Sequence, residues 1–380
     1  MKRFTNLIAP VLVLTVVLMF LTISPFGCSK KEPQPKKLKF GATFPLTGDV
    51  ASYGQKAKRG IELAVEKINS QGGLLERRIT VDFQDDRNDK KEAVSIVTKF
   101  ASIDSVPVIF GSAGSTVSLA IVPIANRNKV ILISPISSST KLSTEGGPYF
   151  FRTCPADDLQ AEILASWVNE AGTKNVAIIY TNNSWGKPLA EGFEDKFTMA
   201  GGKVLLSEGV EENSTDFRTI MAKLKELKNL DAVVSPTYPK EGGVFVRQIK
   251  EMGLKVPLFG GDNWGSPEFL TIAKDAAEGV FYTAPSESTS PIYEDFANRY
   301  RQKYGEEPDV FSAYAYDAVT AVFEAVKKCK STNSEKIREA LLDVSFVGVS
   351  GKIAFKPNGD LKSEAFARKT IKNGNAVNVK

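Results

Sequence analysis

The sequence predicts an α/β protein of two doubly wound, parallel-sheet lobes joined by hinge crossovers. Three observations predict it. Short apolar, β-branched runs alternate with stretches of helical apolar periodicity, the pattern of buried parallel strands separated by helices. That alternation completes one cycle by about residue 154 and then starts again. Several strand-like runs also end in small, uncharged polar residues, most clearly in 107–140, PVIFGSAGSTVSLAIVPIANRNKVILISPISSST. Ligands bind just beyond the carboxyl ends of strands in open parallel sheets, so these tips read as a binding device.

The elements follow in order. Residues 38–44 form a strand, and 54–70 a helix with Ile61, Ala64, Val65 and Ile68 on one face, stopped by Gly72-Gly73. Residues 79–83 alternate as a strand, and the acidic stretch 85–89 opens a helix whose stripe is Ala93, Ile96, Val97 and Phe100. Strands 106–110 and 130–133 bracket a helix at 116–128. After 149–153 come helix 157–171, strand 176–180, helix 185–200 ending at Gly201-Gly202, and strand 203–208. Phe217, Ile220, Met221 and Leu224 mark the next helix, followed by strand 231–235, helix 241–252 and strands 256–260 and 279–283. Helices 291–304, 309–330 and 335–343 then return to the first lobe. Residues 350–355 and Lys356-Pro357-Asn358-Gly359-Asp360 read as a hairpin turning at Asn-Gly. The division expected is 38–154 with 285–362 for lobe 1, and 155–284 with 363–380 for lobe 2.

Composition narrows the chemistry. The chain has 380 residues and no histidine, which excludes a Ser–His–Asp triad, a Cys–His dyad, HExxH zinc chemistry and a histidine pH switch. The formal charge of +5 belongs to the N-terminus: from residue 38 on, 43 basic residues face 43 acidic ones. A neutral body carries no electrostatic footprint for nucleic acid. Cys154 and Cys329 could pair in an exported chain, but nothing local aligns them, and they are read as unpaired thiols.

The N-terminus is a targeting segment. Lys2 and Arg3 precede an apolar run, 7–23, and then Gly27-Cys28. This resembles a bacterial lipoprotein signal peptide, 1–27, with Cys28 as the acylated residue. Pro25 and Phe26 depart from the usual aliphatic-then-small pair; an uncleaved membrane anchor is the alternative. Residues 28–37 form a polar, Pro-containing tether.

The body resembles bacterial type I periplasmic binding proteins, specifically the Leu/Ile/Val-binding branch that serves ABC importers. The resemblance rests on GATFPLTGDVASYGQKAKRGIELAVEKINSQGG, DDRNDKKEAV, the two serine-tipped strands, FFRTCPADDLQ, VAIIYTNNSWG and YDAV. It implies a monomeric, non-enzymatic receptor with no cofactor and no metal, held at the membrane surface by its lipid. Such a receptor closes its lobes on a small amino acid, branched-chain or otherwise neutral and aliphatic, and hands it to a permease.

The resemblance also places the site. Ser115, with Thr116 beside it, and Ser138 stand where the family contacts the ligand carboxylate, and backbone groups near Ile136, Ser137 and Ser138 would add hydrogen bonds. The physics agrees: several N–H and O–H donors keep a carboxylate ionised in a water-poor cleft. Asp262, in LFGGDNWG, stands where amino-acid binders carry an acid for the α-ammonium. Tyr53, Trp185 and Tyr238 match aromatic positions of the cleft, each just past a strand's end. Arg152, Asp85 and Asp317 read as structural, and Trp264 is open. Three alternatives remain at this stage: a sensory module reporting to a membrane receptor, a binder of an amide or aromatic acid, and a Ser–Lys hydrolase using Ser138 and Lys141.

Overall fold

The structure, a computed structural model, describes residues 37–362 and 365–379. The expected signal segment, the expected acylation site Cys28 and the tether up to residue 36 lie outside the described residues.

The first lobe begins as β1 (Lys37–Phe44), α1 (Ala51–Ser70), β2 (Arg78–Asp85), α2 (Lys90–Ser102), β3 (Val108–Gly111), α3 (Ser115–Asn128), β4 (Ile131–Ser134), α4 (Lys141–Glu145) and β5 (Phe150–Arg152). Among the described residues these strands pair in parallel in the order β2-β1-β3-β4-β5. The middle strands are short and buried along their whole length because helices cover both faces. Phe40, Phe44, Phe110 and Ile133 point into one core with α1, while Ile109, Leu132 and Phe150 point into another with α2 and α3. Asp89 caps α2, accepting from the amides of Lys91 and Glu92, so the acidic stretch does open that helix.

The second lobe runs α5 (Asp157–Glu170), β6 (Asn175–Thr181), α6 (Gly186–Met199), β7 (Lys203–Val210), α7 (Arg218–Glu226), β8 (Ala232–Ser235), α8 (Pro239–Glu251), β9 (Leu258–Gly260), α9 (Pro267–Ala273) and β10 (Phe281–Pro285). The chain then returns to the first lobe with α10 (Tyr293–Tyr304), α11 (Val310–Cys329) and α12 (Ser334–Leu342), whose apolar faces complete the α1 core. The α1–α11 approach is close: a Cβ added to Gly60 would lie 2.1 Å from the Ser312 carbonyl oxygen.

The C-terminal region departs from expectation twice. Strand β12 (Lys352–Ala354) pairs backward with β11 (Ser345–Val347), and across the Asn358-Gly359 turn there is a single bridge, Phe355 to Leu361. A second hairpin, β13 (Phe366–Lys372) and β14 (Asn375–Asn378), was not anticipated. Asn373 (φ 53°) and Gly374 (φ 72°) form its two-residue turn, both left-handed as a type I′ hairpin requires. Strand β13 runs antiparallel to β10, giving the second sheet the order β14-β13-β10-β9-β8-β6-β7.

Arg152 anchors the junction after β5. Fully buried, it pairs with Asp360 at 2.6 Å and donates to the Ser139 carbonyl (2.9 Å) and to Ser143 Oγ (2.6 Å). Asp317 accepts from the amides of Val349 and Ser350, and burial pushes its carboxyl up to about 6. Asp85 takes the Leu46 and Arg87 amides. Trp264 is a core residue, stacked on Phe269 and donating to Thr237 Oγ1. Cys154 and Cys329 are free thiols; burial holds the Cys154 thiol protonated.

Candidate functional site

The two sheets point their carboxyl ends at one another, and the segments leaving those ends meet. From the first lobe come the first turn of α1 with Tyr53, the first residue of α3, Ser115, and the β4–α4 loop with Ile136 and Ser138. From the second come Trp185 and Tyr238, the residues preceding α6 and α8, and Asp262 in the tight turn after β9. These seven residues line one cavity of about 40 Å³, large enough for a few water-sized groups and too small for an oligomer.

The serine cup is built from beneath. Asp86, fully buried, accepts from Thr43 Oγ1, Ser112 Oγ and the Asn88 amide, which fixes the tip of β3. Ser115 Oγ accepts from the Ser139 amide at 3.2 Å, leaving its own hydrogen free to be donated. Two expected contributors are turned elsewhere. Ser137 Oγ lies under the cup, 2.7 Å from Ser118 Oγ and donating to the Ser112 carbonyl. Thr116 Oγ1 faces the other lobe, accepting from the Ser184 amide at 3.1 Å. The amides of Ile136 and Ser137 are also committed, both to Ser134 Oγ, so they are not free donors. The reason is local: a polar turn this deeply buried must satisfy its own backbone first.

The opposite wall is acidic and aromatic. Asp262 Oδ1 is enclosed and has no hydrogen-bond partner among the described residues. Burial pushes this carboxyl up to about 6. Trp185 and Tyr238 stack with centroids 5.4 Å apart, a flat apolar surface beside the acid. Burial, with Asp262 adding to it, raises the Tyr53 phenol well above its usual range, so it acts as a neutral donor, to Asn263 Oδ1 at 2.6 Å.

Sequence reasoning missed Asn88, Asn263 and Phe311 in the cavity wall. Asn88 obeys the strand-end rule, since it follows β2. Asn263 sits beside Asp262. Phe311 gives no such signal: it opens α11, far along the chain, and reaches the cavity by packing edge-on to Tyr53 with centroids 5.1 Å apart.

Known proteins share this fold. Over 334 residues the chain is 30% identical to the Leu/Ile/Val-binding protein BraC3 of Rhizobium johnstonii, covering 87% of this chain and 90% of that one. The leucine-binding protein LivK of Thermotoga maritima superposes with a TM-score of 0.85 at 28% identity, covering 90% of this chain and 98% of that one. The branched-chain amino acid transporter substrate-binding protein LivJ of Streptococcus pneumoniae, solved with isoleucine, gives 0.81 at 30% identity, covering 90% and 100%. Residues 37–375 match the model of the periplasmic binding protein, and with two lobes facing a shared cleft, the chain belongs to that family.

Proposed function

We propose that the protein is the exported, lipid-anchored receptor of an ABC importer, capturing a neutral aliphatic α-amino acid between its lobes and delivering it to a permease. One observation carries this: Ser115 and Ser138 on one lobe and the enclosed, unpartnered Asp262 Oδ1 on the other line the same small cavity. The hydroxyls suit a carboxylate and the acid suits an ammonium, and an α-amino acid is the small molecule that carries both. The stacked Trp185 and Tyr238 offer apolar surface to an aliphatic side chain. The names of the relatives, Leu/Ile/Val-binding among them, point the same way. In this reading residues 38–154 and 285–362 move as one lobe against 155–284 and 363–380.

A thermal-shift and calorimetric screen of the body from Leu38 onward, against the common amino acids and a set of amides and aromatic acids, tests it. A ligand at a hundredfold excess over its dissociation constant stabilises by ~2.7 kcal/mol, a shift of several degrees. Leucine, isoleucine or valine should give that shift. A response to an amide or aromatic acid with none from any amino acid refutes the assignment.

A further inference from the structure

The serine cup and the acidic turn of the cavity are tied together from behind. The backbone amide of Asp157, the first residue of α5, donates to the Ser138 carbonyl at 3.0 Å. One turn further along, the hydrogen-bond pattern orients the Gln160 side chain. Its Nε2 donates to Asp157 Oδ1, and its Oε1 accepts from the Asp262 backbone amide and from Thr283 Oγ1, each at 3.0 Å. Asp157, Gln160 and Thr283 are all fully buried. Two residues, Asp157 and Gln160, therefore join the loop that carries Ser138 to the turn that carries Asp262.

Such a tie is stiff. Its links are a backbone carbonyl and amide, one carboxyl and one carboxamide. A buried polar group that lets go of its partner has no water to take in its place. Gln160 holds the backbone of Asp262 and leaves the carboxyl to the cavity, where Oδ1 is enclosed with no partner among the described residues. Thr283, on β10, anchors the same Gln160 oxygen to the sheet. Tyr53 reaches only the side chain of the next residue, Asn263, so the Asp262 backbone depends on Gln160.

We infer that Gln160, held by Asp157, is a positioning residue that sets the spacing between Ser138 and Asp262 and so makes the site selective for α- over β-amino acids. In an α-amino acid the ammonium and the carboxylate sit on one carbon. In β-leucine, the isomer of leucine with its amine one carbon further away, the nitrogen is displaced by the length of one C–C bond, ~1.5 Å. A turn fixed by buried hydrogen bonds follows that displacement only by breaking them. A turn released from Gln160 is free to follow. The inference rests on the amino-acid reading for the identity of the ligand. It goes beyond it in naming two residues that do not line the cavity, and the selectivity they confer.

The test is calorimetric titration of L-leucine and of β-leucine into the native protein and into Gln160→Met, which keeps the bulk of the side chain and removes its hydrogen bonds. The native protein should prefer L-leucine by at least about a hundredfold, because a misplaced ammonium leaves a buried carboxyl unpaired. In Q160M that ratio should fall about tenfold or more, chiefly through weaker L-leucine binding. A merely structural loss weakens both ligands by the same factor, so an unchanged ratio overturns the inference, as does equal binding of the two isomers by the native protein. Should Q160M not fold, Thr283→Val, which removes one bond to the Gln160 oxygen, should lower the ratio in the same direction, and an unchanged ratio there overturns it. Failure of L-leucine to bind the native protein would sink the amino-acid assignment instead. Amide hydrogen exchange then decides on the tie alone: an Asp262 amide that exchanges as fast as an exposed loop overturns it, and one protected in the native protein but open in the variant upholds it.

Discussion

Tyr53 on the first lobe donates its phenol hydrogen to Asn263 Oδ1 on the second, at 2.6 Å and away from water. Ser139 Oγ and Thr116 Oγ1 meet the Ser184 backbone, and Lys240 meets Asp49 at 3.2 Å, so the lobes are fastened beside the cavity at several points. This is the geometry of a closed form, and the energy of closing is divided between such bonds and the ligand.

Tyr53→Phe should therefore favour the open form. Losing one buried hydrogen bond and leaving Asn263 Oδ1 without its donor costs about 1–2 kcal/mol of closure. Small-angle scattering should show a larger ligand-free radius, and ligand affinity should fall roughly tenfold. An unchanged radius and affinity would show that the bond does not hold the lobes.

Asp262→Ala should weaken L-leucine binding by ~2–5 kcal/mol, with little recovered in Asp262→Asn, because the ammonium needs a charge. Ser138→Ala should cost less, about 1–3 kcal/mol. The same acid burdens the ligand-free fold. Its folded pKa of about 6 lies above the unfolded value, so the native state binds more protons and stability falls as pH rises between the two. Asp262→Asn should accordingly raise the melting temperature at pH 7.5 and leave it nearly unchanged at pH 4. Lower stability of this variant at pH 7.5 would contradict the burial argument.

Asp360→Ala leaves the Arg152 guanidinium buried without its carboxylate. Loss of one member of such a pair costs on the order of 3–5 kcal/mol. Chemical denaturation should report that loss at neutral pH. A loss below 1 kcal/mol would mean that water reaches Arg152 and takes the place of the acid.

Cys28→Ala should abolish lipid labelling and release the protein from the membrane fraction, either uncleaved or soluble. Palmitate incorporation that persists in the variant would rule out Cys28 as the anchor.

The sequence exposed what depends on local pattern. Fully apolar runs such as 108–110 can be stable only inside a sheet covered on both faces, and strands β3 and β4 lie there. The family resemblance, with the strand-end rule beside it, pointed to Tyr53, Ser115, Ser138, Trp185, Tyr238 and Asp262, and these six line one cavity. It could not tell which hydroxyl at a tip looks outward. Ser137 and Ser138 are neighbours of the same type, and the choice between them is made by Ser118 of α3 and the Ser112 carbonyl just past β3. Phe311 at the cavity and the contacts of Gln160 with the Asp262 amide and Thr283 arise from tertiary packing between segments far apart in the chain. The β13–β14 hairpin is legible in Asn373-Gly374, a strong turn signal, whereas the similar Asn358-Gly359 is flanked by a single bridge.

The packing of α1 against α11 sets an order of events during synthesis. The face of α1 that carries Ala57, Ile61 and Ala64 is covered by residues 313–326, made some 250 positions later, and five of the seven strands of the second sheet are encoded between them. Long-range closures of this kind are slow to form and leave apolar surface open meanwhile. An exported chain of this design emerges with the apolar outer face of α1 uncovered, and escorts that keep nascent chains unfolded have a defined target in it. Released chains ending near residue 290 should be cleaved by protease within 38–154, and released chains that include α11 and α12 should resist.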